Sequence, residues 1–269
     1  AVFHYIPMIG NVIAFQDFKL GAGLFESEWV GLRWFREFFA SPFFGRLIGN
    51  TFFLSVLMLL FAYILSLRLT FSGQTMHKVP LFPAYIIKHN FPVYVSIMFR
   101  HIGANMIWVV YPLFLADLGA SAVFIGFIYG INAVGQYVFM RFIDRFKTYH
   151  LVMAGFIFSI LTFPSYTLAT TPEQIIPMQV SIAAAWSCLY VGSIKYLMER
   201  NEEKGTSSGL LQSFLSISAI IGALVGGVTV FTLGYHGSMY IATAMGMVGL
   251  IVFITGNRFL DRREKGVIA

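Results

Sequence analysis

Seven runs of about twenty apolar residues dominate this chain, at 49–69, 91–116, 121–141, 149–169, 174–197, 207–232 and 235–256. A run of that length matches the roughly 30 Å hydrocarbon core of a bilayer, which about 20 helical residues cross. Inside that core each unsatisfied backbone polar group costs several kcal/mol, so spanning segments close their hydrogen bonds internally, as helices or as sealed barrels. Runs this long predict helices, because membrane strands need only about 9–11 residues. Charged residues make up 11% of the 269, against about 25% in soluble domains, too few to clothe a water-soluble globule. The predicted fold class is therefore an all-α integral membrane protein.

The connections confirm the direction of each span. Short turn-forming stretches at 118–121, 170–173 and 233–237 carry no Lys or Arg. Basic residues gather on the alternate side: Arg68, Lys78 and Lys88; Arg141, Arg145 and Lys147; Arg200 and Lys204; Arg258, Arg262, Arg263 and Lys265. By the positive-inside rule this side is cytoplasmic, including the C-terminus of a multi-pass cell-membrane protein. The net charge of +6 is thus read as a set of topology signals, with no nucleic acid as partner. Membrane lipids are the expected surroundings, and residues 17–47 fall outside.

Catalytic and metal chemistry finds little support. The single Cys188 lies in an apolar run, as a packed thiol does. "GALVGG" at 222–227 lacks the Lys and Ser/Thr of a phosphate-binding loop and falls within a predicted span. No enzyme activity, cofactor or metal is expected.

Polar groups inside the spans carry the functional reading. Projected at 100° per residue, Arg100, His101, Ala104, Asn105, Trp108, Tyr111 and Pro112 share one sector of helix 91–116, while Phe99, Ile102, Met106, Val109, Val110, Leu113 and Phe114 occupy the opposite side and are expected to meet lipid. Arg100 lies about 14 Å along the helix at 1.5 Å per residue, near mid-membrane, where a charge costs at least about 2.5–3.5 kcal/mol. Either it faces a cavity and meets an anionic group, or it bonds helix carbonyls at a packed interface. No Asp or Glu lies in the interior of the six later spans. Tyr129, Asn132 and Gln136 share a face of the next span, and Gln179, Trp186 and Tyr190 a face of span 174–197. Amides interleaved with aromatics suit a pocket for a small polar molecule. The substrate-binding candidates are Arg100, His101, Asn105, Trp108, Asn132, Gln136, Gln179, Trp186 and Tyr190. Gly222, Gly226 and Gly227 are helix-packing candidates, because small residues let backbones approach. The aromatic stretch 29–44 suits a helix lying at the lipid headgroups.

Two family resemblances divide the chain. Residues 1–65, with Trp29, Gly31, Leu32 and Phe35 ahead of the Asn50–Thr51 pair, resemble carbohydrate-type ATP-binding-cassette importer permeases; residues 1–15 look like the tail of a spanning helix. The E-A-A…G loop by which that family engages its ATPase does not occur. From about residue 91 the chain resembles one six-helix half of a major facilitator superfamily transporter. "MRFIDRFKTYH" at 140–150 stands where that family places its G-x-x-x-D-R loop, with Asp144 and Arg145 matching and Met140 replacing the glycine. "MERNEEKGTSSGLLQSFLSISAIIGALVGG" at 198–227 resembles its charged inner loop and glycine-rich helix. The resemblance implies secondary transport of a small solute by alternating access, Asp144 and Arg145 gating the inner side, and a second copy or complementary six-helix half completing the cavity. With only one half present, the chain reads as a fragment, a fused or misassembled reading frame or a designed sequence, and the alternatives to secondary transport are a permease subunit of an ATP-driven sugar importer or a non-transporting membrane fragment. The expected layout is a permease-like segment with one span (1–70), a cytoplasmic linker (71–90), the six-helix bundle (91–257) and a basic tail (258–269).

Overall fold

Pro112 decides the shape of the first bundle helix. Its ring removes an N–H and clashes with the carbonyl four residues earlier, so the expected span 91–116 divides into α4 (Phe91–Trp108) and α5 (Tyr111–Asp117), bent by 42°. The computed structural model describes residues 15–17, 28–68 and 83–267. The expected N-terminal span tail at 1–14 and linker residues 71–82 lie outside the described residues, as does the side chain of Asp144.

The chain forms two compact units, Ala1–His77 and Lys78–Ala269. In the first, β1 (Gln16–Asp17) pairs antiparallel with β2 (Glu28–Trp29), a two-residue ladder the sequence did not signal. Trp34 Nε1 donates to the Gln16 carbonyl at 3.0 Å, and Phe15 stacks on Trp29. Helix α1 (Arg33–Ala40) buries no residue, exposes Phe38 and Phe39, and carries an Arg33–Glu37 pair at 3.0 Å. Helix α2 (Phe44–Arg68) begins one turn before the predicted span and exposes Phe52, Phe53 and Leu59.

The second unit is the bundle: α3 (Ala84–His89), α4, α5, α6 (Ala122–Phe142), α7 (Thr148–Ser165), α8 (Ile175–Arg200) and a 64-residue stretch, Lys204–Val267. At 1.5 Å per residue the last would run about 96 Å, roughly three hydrocarbon cores. Gly234, at φ 71° and ψ −178°, breaks it into α9 (204–233) and α10 (235–267). Contacts along α4 show the reversal. Ascending α4, Tyr94 meets Ser207, Ile102 meets Gly222 and Met106 meets Gly226, so α9 runs parallel to it. Pro92, Ser96, Gly103 and Met106 meet Gly256, Gly249, Ala242 and Ser238, so α10 runs antiparallel. The six predicted bundle spans are therefore all present, and α10 continues as helix through the expected basic tail to Val267.

Glycines make this packing possible. A Cβ on Gly222 or Gly226 would lie 2.5 Å from the Ile102 carbonyl oxygen or 2.7 Å from Met106 Cα. Gly227, expected to pack with them, meets nothing within 4 Å: it is one residue, about 100°, off that face. The apolar back of α4 and α5 differs from expectation in part: Val109 and Leu113 are exposed as expected, but Ile102 and Met106 of α4 and Phe114 of α5 are buried against α9 and α10 and do not face lipid. Apolar periodicity separates polar from apolar faces, but lipid and a neighbouring helix ask for the same side chains.

Two large apolar clusters fill most of the bundle, beside a small third of Ile143, Leu151 and Cys188. One holds Val93, Ile97, Val152, Phe156, Leu189 and Leu197. The other holds Ala104, Phe114, Ile128, Phe163, Ile175 and Ile182. Arg100 on α4, Ser159 on α7 and Trp186 on α8 fall between them on their respective helices, forming a polar layer at mid-height.

Candidate functional site: a polar cavity between α4, α6 and α8

A cavity of about 270 Å³ opens at this layer, lined by Arg100, His101, Ala104 and Trp108 of α4, Tyr129, Asn132 and Gln136 of α6, and Ile182 and Trp186 of α8. Helical spacing explains the convergence: positions 100, 104 and 108, and 129, 132 and 136, repeat at three or four residues and share a face.

Arg100 is 2% exposed. Its Nε donates to Ser159 Oγ at 2.9 Å, and that hydroxyl donates on to the Gly155 carbonyl at 2.7 Å. Its Cζ lies 5.4 Å from the Phe163 ring and 5.5 Å from Trp186. Ring quadrupoles stabilise a desolvated cation by about 2 kcal/mol or more, yet leave its net charge in place. Nη2 is buried without a partner, and no carboxylate among the described residues pairs with the guanidinium.

His101 stacks on Trp186 at 5.0 Å, and Trp186 stacks on Tyr190 at 5.4 Å. His101 Nδ1 is likewise buried and unpartnered. Across the cavity Gln136 Nε2 donates to Asn132 Oδ1 at 2.6 Å, one turn apart. Trp108 packs on Tyr129 at 5.7 Å and on Tyr111 at 5.1 Å, and Tyr111 meets Tyr166 at 5.5 Å, closing the α5 end with rings.

Six of the nine substrate-binding candidates thus surround one cavity. Three do not. Asn105 donates to the His101 carbonyl at 2.8 Å and lies where a Gly222 side chain would go, on the packed side of α4. Gln179 is buried against the Tyr111 hydroxyl, beyond the aromatic closure. Tyr190 faces a separate small void with Ile97 and Leu211. Ser159 and Phe163, which hold Arg100, escaped the sequence reading because an isolated Ser or Phe in an apolar run carries no signal of its own. Asp144 and Arg145 sit in a short 3-10 turn, Ile143–Arg145, directly after α6, with Arg145 exposed.

A larger cleft of about 790 Å³, between α3, α4 and α10, is lined mainly by apolar groups such as Ile87, Phe91, Pro92 and Phe259, with Lys88 as its charged residue. It lacks the converging polar groups of the mid-height cavity. Among the described residues no His, Cys, Asp or Glu cluster could hold a metal.

The sequence profile of the Major Facilitator Superfamily matches residues 93–269, more than half of the chain. The chain belongs to the major facilitator superfamily. It is an almost entirely helical, multi-pass membrane protein of a transporter family, and the cavity lies inside the matched region. Two relatives from Bacillus subtilis (strain 168) are also similar to parts of it. Protein LplB is 38% identical over 104 residues, 36% of this chain and 33% of LplB. The polygalacturonan/rhamnogalacturonan transport system permease protein YteP is 50% identical over 50 residues, 19% of this chain and 16% of YteP. The chain therefore spans about a third or less of the length of these relatives.

Proposed function

We propose that this facilitator-family bundle is a secondary transporter that moves a small solute across the cell membrane by alternating access, with its C-terminus cytoplasmic. The carrying observation is the convergence of Arg100, His101, Trp108, Asn132, Gln136 and Trp186 on one mid-height cavity. Polar and charged groups are costly at that depth, and such cavities between helices hold ligands in bundles. Its volume lies near the low end of the about 300–1,000 Å³ of small-molecule pockets, which favours a metabolite over an oligosaccharide. Asp144 and Arg145 serve as a latch at the inner end of α6, and a second copy or complementary six-helix half covers the cavity's open side. Purified protein in liposomes is expected to exchange a small labelled solute, with flux lost on replacing Trp186 by Ala. Flux absent for all small solutes contradicts the proposal.

The likeness to YteP favours a second reading, a permease segment of a polysaccharide transport system. Stable co-purification with an ATPase subunit, with transport dependent on ATP, would decide for it.

A further inference from the structure

Resting on the solute-site reading above, we propose that the ligand of the mid-height cavity is a small organic anion. Its carboxylate meets the Arg100 guanidinium, and its flat apolar body lies among Trp108, Tyr129 and Trp186. Three observations lead there.

Arg100 is 2% exposed and keeps a single hydrogen bond among the described residues, from Nε to a neutral serine. The other donors of its planar fork remain, and that fork matches a carboxylate bidentately. Beside it, His101 Nδ1 is buried without a partner. The guanidinium therefore presents unpaired donors to this wall of the cavity, and the imidazole adds a ring nitrogen that donates or accepts according to its tautomer.

No compensating carboxylate pairs with Arg100 among the described residues either. Between residues 91 and 256 the acidic residues are Asp117, Asp144, Glu173, Glu199, Glu202 and Glu203, all in terminal turns of helices or in connections. A buried cation without a counter-ion is normally avoided, so a neutralising group is expected at the cavity, and we place it on the ligand; a carboxylate supplied by the complementary half instead would leave benzoate and benzamide equal. A cationic ligand would meet Arg100 as a like charge, and a neutral one would leave it uncompensated.

The third observation is shape. Trp108, Tyr129, Trp186 and the His101 ring supply flat faces around about 270 Å³. Phe163 and Trp186 also cover the guanidinium. Flat, low-entropy surfaces suit a planar body held at one end by its charge.

The test uses the full chain in nanodiscs, with tryptophan fluorescence as readout, since Trp108 and Trp186 both line the cavity. Benzoate, its uncharged analogue benzamide and the cation benzylammonium are titrated. Benzoate is expected to give a saturable change at a concentration at least about tenfold below benzamide, with none from benzylammonium, as a charge-assisted hydrogen bond requires. Arg100→Gln is expected to remove the benzoate advantage and Arg100→Lys to keep part of it. Equal responses to benzoate and benzamide, or no response to benzoate, overturn the assignment using the parent protein alone, so it stands or falls even where Arg100→Gln does not fold. Flux of neutral solutes without benzoate discrimination overturns the anion and leaves transport standing. Benzoate binding without flux of any solute overturns transport and leaves the anion site.

Discussion

Helix α4 has two working faces, and they solve opposite problems. On one, Gly103 lies against Ala242 while Ile102 and Met106 receive the glycines of α9. Backbones meet there, without room for a methyl group. On the other, Arg100, His101, Ala104 and Trp108 stand back from α6 and leave a cavity of about 270 Å³. Lipid tails are as apolar as leucine, so close packing, rather than hydrophobicity, holds membrane helices together. One face packs backbone to backbone while the other leaves room for a ligand. The guanidinium, with one hydrogen bond to Ser159 and covered by Phe163 and Trp186, sits on a helix packed backbone to backbone on its far side.

That contrast can be broken first at the clamp. A Gly249→Leu change places side-chain atoms where a Cβ alone would approach the Ser96 carbonyl oxygen to 2.5 Å and Phe156 Cε1 to 2.8 Å. Overpacking usually costs about 1–3 kcal/mol; against backbone atoms we expect the upper end or beyond, seen as loss of a monodisperse size-exclusion peak. Next is the cavity's support. Ser159→Ala removes the acceptor of a buried charged donor, an expected loss of about 1.5–3 kcal/mol, read as a lower thermal-unfolding midpoint together with weaker solute binding. A stability change with unaltered binding would separate the two faces more completely than the account allows.

Smaller effects are expected away from both faces. Asn201→Ala breaks a reciprocal amide pair with Asn90, at 2.8 and 3.1 Å, between the loop after α8 and the start of α4. Interhelical hydrogen bonds in membranes average about 0.6 kcal/mol, so a slight drop in midpoint is expected with solute binding intact. Smallest is Gly227→Ala, where the added methyl meets nothing within 4 Å. Helix propensity favours alanine over glycine by up to about 1 kcal/mol, so the midpoint stays level or rises, whereas Gly222→Ala lowers it.

Much of this architecture was legible in the sequence, for a physical reason. Hydrocarbon imposes length and polarity limits that each span meets independently, so the six bundle spans were readable one at a time. The stripe of Arg100, His101, Ala104 and Trp108 was legible because polarity inside a membrane helix is costly and therefore conspicuous. Its back is legible only in part: Val109 and Leu113 are exposed as expected, but Ile102 and Met106 look the same whether they meet lipid or a glycine of α9. Asn105 was drawn into the stripe by its angle alone. Its amide turns to the His101 carbonyl, a local bond that a helical projection does not register. Gly227 shows the same limit: spacing marks small residues, and only the facing helix shows which of them it approaches.

The central claim is that one face of the bundle's polar helices opens to a solute cavity while the other is sealed. Cysteine accessibility tests it directly, because the one native cysteine, Cys188, is buried and can be replaced by alanine. In that background Gln136→Cys, on the cavity wall, and Ile102→Cys, under Gly222, are exposed to a charged, membrane-impermeant thiol reagent. Rapid labelling is expected at position 136, slowed by bound solute, and none at position 102. Equal labelling at both positions, or labelling at 102 alone, would contradict it.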